Sequence, residues 1–347
     1  MISVQPILSL KYFQLRKNKL PKSVKKLFYL SWEDALWDLL TKKNIVKGSK
    51  ILIPSFYCKD VERNIKLHGY KVEFYKILPN LDPDKKSFID AIKKYNPSVI
   101  VIFHPAGIKS NLLDNQKWLA KISGNSILIE DAVHRVLNAT DFKIIKRNHF
   151  IIDSLRKVIP IQGAHLYGNI DDLNFDVPNV FQSIIYRFKV NYYWFLMVMT
   201  WTIGLGKKAE KNMIKGYNII GDSIKPSRGS VIGRLLSDRI NVASLQKIKI
   251  KQVNIYEKEI KNVVPIKLTI KDSDKKHLRG YPVILPLVSS AKILKYLRSN
   301  NLLVRFELDG SDWSKGQKII FLPLGFQMSD SQQKEVCKLV KSAFTLN

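Results

Sequence analysis

Cysteine is almost absent: Cys58 and Cys337 are the only two in 347 residues. That excludes a disulfide framework and suits a reducing compartment. Negative charge is scarce too, with 29 acidic against 58 basic side chains and a net charge of +29. Such a chain carries a positive field and favours an anionic partner: nucleic acid, anionic lipid or a phosphorylated substrate. Zinc-ligand spacing, an RNA-binding aromatic signature and a helix-turn-helix pattern are all missing, so neither a metal site nor a nucleic-acid partner is expected. Met1 to Leu20 mixes apolar residues with lysines. It lacks the unbroken apolar run and small-residue cleavage site of a signal peptide, so a cytoplasmic location is expected. There is no internal repeat and no low-complexity segment.

What is present is an ordinary globular composition, 46% hydrophobic and 25% charged, in a chain long enough for two domains. Residues 1–26 read as a polar, basic arm with Pro21 near its end. After it, Lys50–Pro54, Val72–Ile77, Ser98–Phe103 and Ser126–Asp131 have the pattern of strands. Glu33–Leu40, Ser55–Gly69, Phe88–Lys94 and Asp114–Ile122 have that of helices, the first opened by Ser31 and Asp34 in capping-box form. This alternation predicts an α/β fold with a mostly parallel central sheet and helices on both faces, filling a large domain over residues 27–185.

Residues 186–230 differ in character and read as an apolar helical insertion with a loop. Asn191–Ile203 is apolar on every side of a helix, with Arg187 and Lys189 before it and Lys207, Lys208 and Lys211 after. It falls short of the ~20 residues that a spanning helix needs. Two readings stay open, a buried core helix or a segment in the membrane interface. Tyr192-Tyr193-Trp194, Trp201 and the basic flanks favour the interface, which would bring the protein to the inner face of the membrane. Gly216, Gly221, Pro226 and Gly229 predict a loop over 216–230. Residues 231–347 read as a connector helix, Arg234–Lys261, and a smaller α+β domain. Its strands are Tyr281–Pro286, Leu302–Phe306 and Lys318–Leu322, and its helices are Ser290–Asn300 and Ser329–Phe344.

Ligands of parallel sheets bind at the carboxyl ends of the strands. Three predicted ends carry polar residues: Ser55 to Tyr57, Glu130-Asp131 with His134, and Ser154-Leu155-Arg156-Lys157. A lysine at the end of a buried strand has a depressed pKa, which an amine needs in order to attack a carbonyl. The plainer reading is one surface lysine among many. A carboxylate 26 positions earlier suits pyridoxal phosphate, which is held on a lysine while an acid keeps its pyridine nitrogen protonated. For Asp131 the plain alternative is a helix N-cap, and for His134 a structural histidine.

In order and spacing these motifs resemble the DegT/StrS sugar aminotransferases. Gly48–Phe56 is similar to that family's "GDEVIVPSF", and Ile129–His134 to "IEDAAH". Ser154–Pro160 is similar to an "SLRKxLP" branch, and Phe321–Leu324 with Met328-Ser329 to "LPxHxxxS". The resemblance runs from Phe28 to Phe344. It implies a fold-type-I pyridoxal-phosphate enzyme in which Lys157 carries the cofactor and shuttles the proton. Asp131 would pair with the pyridine nitrogen, His134 would sit by the ring hydroxyl and Tyr57 would stack on the ring. Ser31 and the start of its helix would hold the phosphate, assisted by Ser154 and Arg156. It further implies a homodimer that moves an amino group from an amino acid, typically glutamate, to a nucleotide-linked keto sugar for polysaccharide or glycan synthesis. Two departures stand out. Trp32-Glu33-Asp34 replaces the family's small residues after Ser31, and Gly325 stands where related chains often have histidine. They motivate an alternative, a member that keeps the fold without the chemistry and serves as a membrane-surface binding or scaffold protein. A glycosyltransferase on a generic α/β fold is a third reading, but no metal-binding acidic pair is placed for it.

Overall fold

Aliphatic runs without intervening charge belong in strands buried on both faces, and the chain places them so. The computed structural model of the protein describes residues 2–170, 180–223 and 226–345. Residues 171–179 of the expected large domain and 224–225 of the expected loop lie outside them. In chain order the first half contains β1 (Ile2–Ser3), β2 (Lys25–Tyr29), α1 (Trp32–Lys42), β3 (Lys50–Pro54), α2 (Lys59–Leu67) and β4 (Lys71–Tyr75). Then come α3 (Lys85–Tyr95), β5 (Val99–Phe103), α4 (Gln116–Ile122), β6 (Ile127–Asp131), β7 (His149–Ile152) and β8 (Ala164–Gly168). The second half contains α5 (Val180–Thr202), α6 (Gly206–Gly221), α7 (Val231–Ser237), α8 (Val242–Glu259) and α9 (Asp272–Lys275). It closes with β9 (Tyr281–Pro286), α10 (Leu287–Ser299), β10 (Leu302–Leu303), β11 (Gln317–Leu322) and α11 (Asp330–Thr345).

Seven strands form the central sheet in the order β2-β8-β7-β6-β5-β3-β4. All are parallel except β8, which is antiparallel to both neighbours. Period-two alternation sends neighbouring side chains of each strand into two different cores. Leu52, Ile100, Ile102 and Leu128 pack with Phe88, Leu119, Val253 and the antiparallel β9–β11 pair. Ile51, Ile53, Val99, Val101 and Ile129 pack with Ala35, Leu36, Leu39 and Leu40 of α1 and Ile65 of α2. The sheet is therefore covered on both faces, as a mostly parallel sheet must be.

Several boundaries differ from the sequence reading, each for a physical reason. The N-terminal residues are anchored: β1 pairs parallel with β10, and Ile2 and Val4 are buried. Helix α2 begins at Lys59 because the preceding residues form the site turn, where Tyr57 bridges Asp309. Strand β8 is not evident from the sequence; its pairing with β2 and β7 creates it. Gly216 and Gly221 lie within α6, not in a loop. The expected helix over 234–261 is two helices, since Asn241 caps a fresh start by accepting the Ser244 N–H.

Helices α5 and α6 form an antiparallel hairpin. Met197, Val198 and Trp201 of α5 are buried on Ala209 and Met213 of α6. The other side of α5 exposes Ile185, Phe188, Tyr192, Phe195, Met199 and Ile203, a stripe at helical spacing. The all-round apolar reading of this segment thus resolves into one packed and one bare face. No helix of the described residues is long and apolar enough to cross a membrane.

Gly163, just before β8, has φ +151°, and a Cβ there would lie 2.2 Å from the Phe28 ring. We predict that Gly163→Ala costs about 2–4 kcal/mol through backbone strain and overlap, measured by urea unfolding. A cost below about 0.5 kcal/mol would show that neither constraint acts.

Candidate active site

The carboxyl ends of β3, β6 and β7 open onto one pocket of about 290 Å³. Parallel strands all end on the same edge, so residues far apart in sequence meet there. Asp131 is the last residue of β6 and lines the pocket, 1% exposed. Its neighbour Glu130 faces the other way and bonds His104 Nε2 at 2.8 Å. Asp131 accepts a bond from the Tyr57 hydroxyl and a 3.1 Å bond from the Val133 N–H. Burial raises its pKa to about 7, with the charge of Glu33 adding to the rise and the Tyr57 and Val133 bonds opposing it.

Lys157 ends a short 3-10 turn, Leu155–Lys157, that follows β7. Its Nζ donates to the Tyr217 hydroxyl at 3.2 Å and lies 5.0 Å from that ring's centre. Burial lowers its pKa, and nearby Arg279, Arg156 and Arg305 lower it further against the pull of Tyr217. Arg156 lies over the same ring, 4.3 Å from its centre. Burial would raise the Tyr217 phenol, but Lys157, Arg156, Arg305 and Arg279 bring it down to about 7. His134 is buried, with Phe103 and Phe321 edge-on to its ring. Its Nε2 accepts from Arg279 Nη1 at 3.1 Å, and its Nδ1 has no partner. Desolvation, then Arg279, Lys157 and Arg305, hold this imidazole well below its usual pKa and so neutral.

Of the residues expected from the sequence, Asp131, His134, Tyr57, Ser154, Arg156 and Lys157 all line this pocket. Ser31 does not. Its hydroxyl accepts the Asp34 N–H at 3.1 Å and donates to the Asp34 carboxylate at 2.6 Å. Asp34 also accepts from the Ser227 N–H at 2.9 Å and from the Tyr186 hydroxyl at 3.2 Å. So the acidic residues beside Ser31 turn inward. Glu33 lines the pocket with Oε2 buried and unpartnered. Tyr57 uses its hydroxyl on Asp131, with its ring edge-on to Phe103. Gly325 is not in the lining; it makes a tight turn, φ +114°, held by Gln252.

The sequence reading missed Tyr217, Arg279, Arg305 and Glu307, which complete the lining. Glu307 pairs with Arg279 at 3.1 Å and Arg305 at 3.5 Å. Asn218, next to Tyr217, is exposed and outside the pocket. No local pattern marks these residues, because α6 and the C-terminal unit reach the pocket only through tertiary packing.

No protein-family model matches the sequence, and no curated protein matches it. Solved structures do match. A candidate sugar aminotransferase from Streptococcus pneumoniae in its PMP form is 13% identical, TM-score 0.62, over 95% of this chain and 89% of its own. The chain has the fold of fold-type-I aminotransferases. A DegT/DnrJ/EryC1/StrS aminotransferase from Brucella abortus matches at 13% identity and TM-score 0.60, over 91% of this chain and 85% of its own. For a sugar aminotransferase from Micromonospora echinospora the values are 13%, 0.58, 91% and 87%. At this identity the likeness shows the fold alone.

Burial raises the Asp34 carboxyl to about 8, against the lowering pull of its Ser31, Ser227 and Tyr186 bonds. A carboxyl protonated in the folded chain but ionised in the unfolded one opposes folding as pH rises. Stability should therefore fall between about pH 4 and 8, by up to about 1.4 kcal/mol per pH unit for each such group. Asp34→Asn should flatten this slope in urea titrations at pH 5 and pH 7.5. A slope that the variant leaves intact would mean that Asp34 is ionised in the fold.

Proposed function

We propose that the protein is a pyridoxal-phosphate-dependent aminotransferase of the DegT/StrS type. It would move an amino group from an amino acid, with glutamate the expected donor, to a nucleotide-linked keto sugar for polysaccharide or glycan synthesis, and work as a homodimer. The observation that carries this reading is the convergence of Lys157, Asp131 and His134 in one pocket at the strand ends. The fold of the matched aminotransferases supports it.

The residues fit the ring end of the cofactor. Lys157 is a half-buried lysine of lowered pKa, free of any carboxylate partner among the described residues, and it would hold the aldehyde. Asp131 would face the pyridine nitrogen, and the unpartnered Nδ1 of His134 offers a polar contact to the ring. Bound there, pyridoxal phosphate supplies an electron sink for the loss of an α-proton. The rest is done by the chain. Lys157 Nζ is placed to hold and pass a proton, with the Tyr217 hydroxyl 3.2 Å away to take or return it. Tyr57 keeps the Asp131 carboxylate oriented, and Phe103 and Phe321 keep His134 dry and neutral. The phosphate end fits less simply, because Glu33 and Asp34 occupy the start of α1.

That departure favours a second reading, a chain that keeps the fold and binds at a membrane surface without transferring amino groups. In either reading the bare stripe on α5 would lie in the headgroup region at the inner face of the membrane. Exposed Lys189, Lys207, Lys208 and Lys211 would meet anionic lipid there.

Two measurements test these statements. Borohydride reduction after incubation with pyridoxal phosphate should modify Lys157, and Lys157→Ala should lose both the visible colour and the label. A colourless protein, or a label at another lysine, sinks the aminotransferase reading. For the membrane statement, sedimentation with phosphatidylglycerol vesicles should carry the protein down, and Phe188→Ser with Phe195→Ser should weaken this at least about tenfold. Equal sedimentation of variant and wild type would place the contact elsewhere.

A further inference from the structure

The pocket is divided in charge, and the division is the reverse of what a helix N-terminus normally offers. Such an end attracts anions through its free N–H groups and its dipole. Here two acidic side chains, Glu33 and Asp34, stand at the start of α1. Asp34 takes the Ser31 hydroxyl and the Ser227 N–H for itself, and Glu33 adds a buried, unpartnered oxygen to the lining. An incoming phosphate would meet the acidic Glu33 side chain there and would find the Ser31 hydroxyl and the Ser227 N–H already taken by Asp34.

Cations gather instead around Tyr217. The guanidinium groups of Arg156 and Arg305 lie 4.3 and 5.9 Å from its ring centre, and Lys157 Nζ lies 5.0 Å away. Arg279 adjoins them and is 1% exposed. Among the described residues, the salt bridges of this group all end on Glu307. Even with Tyr217 ionised, four cations face two anions. Arg279 is buried, whereas Arg156 and Lys157 are half-buried and Arg305 keeps 35% of its side chain exposed; the demand for a partner is therefore greatest at Arg279, since buried charge of one sign needs one. The donors that would receive it are visible: Nε and Nη2 of Arg279 and Nε of Arg156 are buried and have no partner. A planar guanidinium fork suits the paired oxygens of a phosphate or carboxylate.

We propose that Arg156, Arg279 and Arg305 form the seat for an anionic group, phosphate or carboxylate, of the ligand engaged at Lys157, and that the start of α1 is not that seat. The inference rests on this pocket being the ligand site and is independent of which cofactor fills it. An anion here completes the charge balance around Tyr217 and gives Arg156 and Arg279 the acceptors they lack. It also gives the strongly positive chain one specific place where an acidic ligand is recognised.

Calorimetric titration of the full chain with inorganic phosphate, and separately with glutarate, tests this without pyridoxal phosphate. Saturable binding at one site is expected, weakened at least about tenfold by Arg305→Gln and by Arg156→Gln, and retained by Glu33→Gln. Thermal unfolding without anion should match wild type in each variant; if a glutamine variant does not fold, Arg156→Lys and Arg305→Lys keep the charge but remove the fork. The tighter of phosphate and glutarate names the source of the anion. Absence of saturable binding, or equal affinity in the arginine variants, overturns the proposal. Labelling of Lys157 without anion binding sinks this inference alone, and anion binding without labelling sinks the cofactor reading alone.

Discussion

The register of β6 against β7, with Asp131 opposite Ile152, is the constraint on which the rest of the site depends. A strand alternates faces with period two, so a slip of one residue would exchange Asp131 for Glu130. The exchange is opposed from both sides. Glu130 is tied to His104 beneath the sheet, and the Ala132 N–H extends the ladder to the Ile152 carbonyl at 2.8 Å. From that last rung the chain turns through Asp153 and Ser154 and brings the Lys157 amine to the edge where Asp131 already stands. Strand β3 ends on the same edge and delivers Tyr57 to the carboxylate.

The α5–α6 hairpin gives the pocket its chemical character. Tyr217 of α6 holds the lysine amine, while Tyr186 of α5 reaches Asp34 at the start of α1. The same hairpin turns an apolar stripe of α5 outward. A contact made on that stripe would bear on α6, packed against α5, which lines the pocket with Tyr217 and Gly221. The stripe and Tyr217 belong to a single packed unit, whose own core is Met197, Val198, Trp201, Ala209 and Met213.

Much of the fold was legible because its signals are local. Val99 to Phe103 is apolar for its whole length and Ile127 to Ile129 leads without a break to Glu130-Asp131, and such runs between helical patterns specify buried parallel strands. The candidate site was legible where polar residues follow such a run within a few positions, as at Asp131 and Lys157. It was illegible where a side chain arrives from another element. Arg279 precedes β9, Arg305 follows β10 and Tyr217 sits inside a helix whose glycines suggested a loop. Strand β8 was hidden for a related reason: Ala164 to Gly168 is too short to declare itself and becomes a strand by pairing on both sides.

Sequence alone thus determined the alternating α/β order, the strand ends that carry Asp131 and Lys157, and the positive field of the chain. These follow from patterns within a few residues or from composition. Tertiary structure decided the sign of charge at each part of the pocket. Glu33 and Asp34 turn inward because α1 packs on the sheet and receives Ser227 and Tyr186 there. The arginines converge because the C-terminal unit docks against the strand ends. Whether a charge faces solvent, a partner or a ligand depends on what packs beside it, and no local stretch of sequence contains that information.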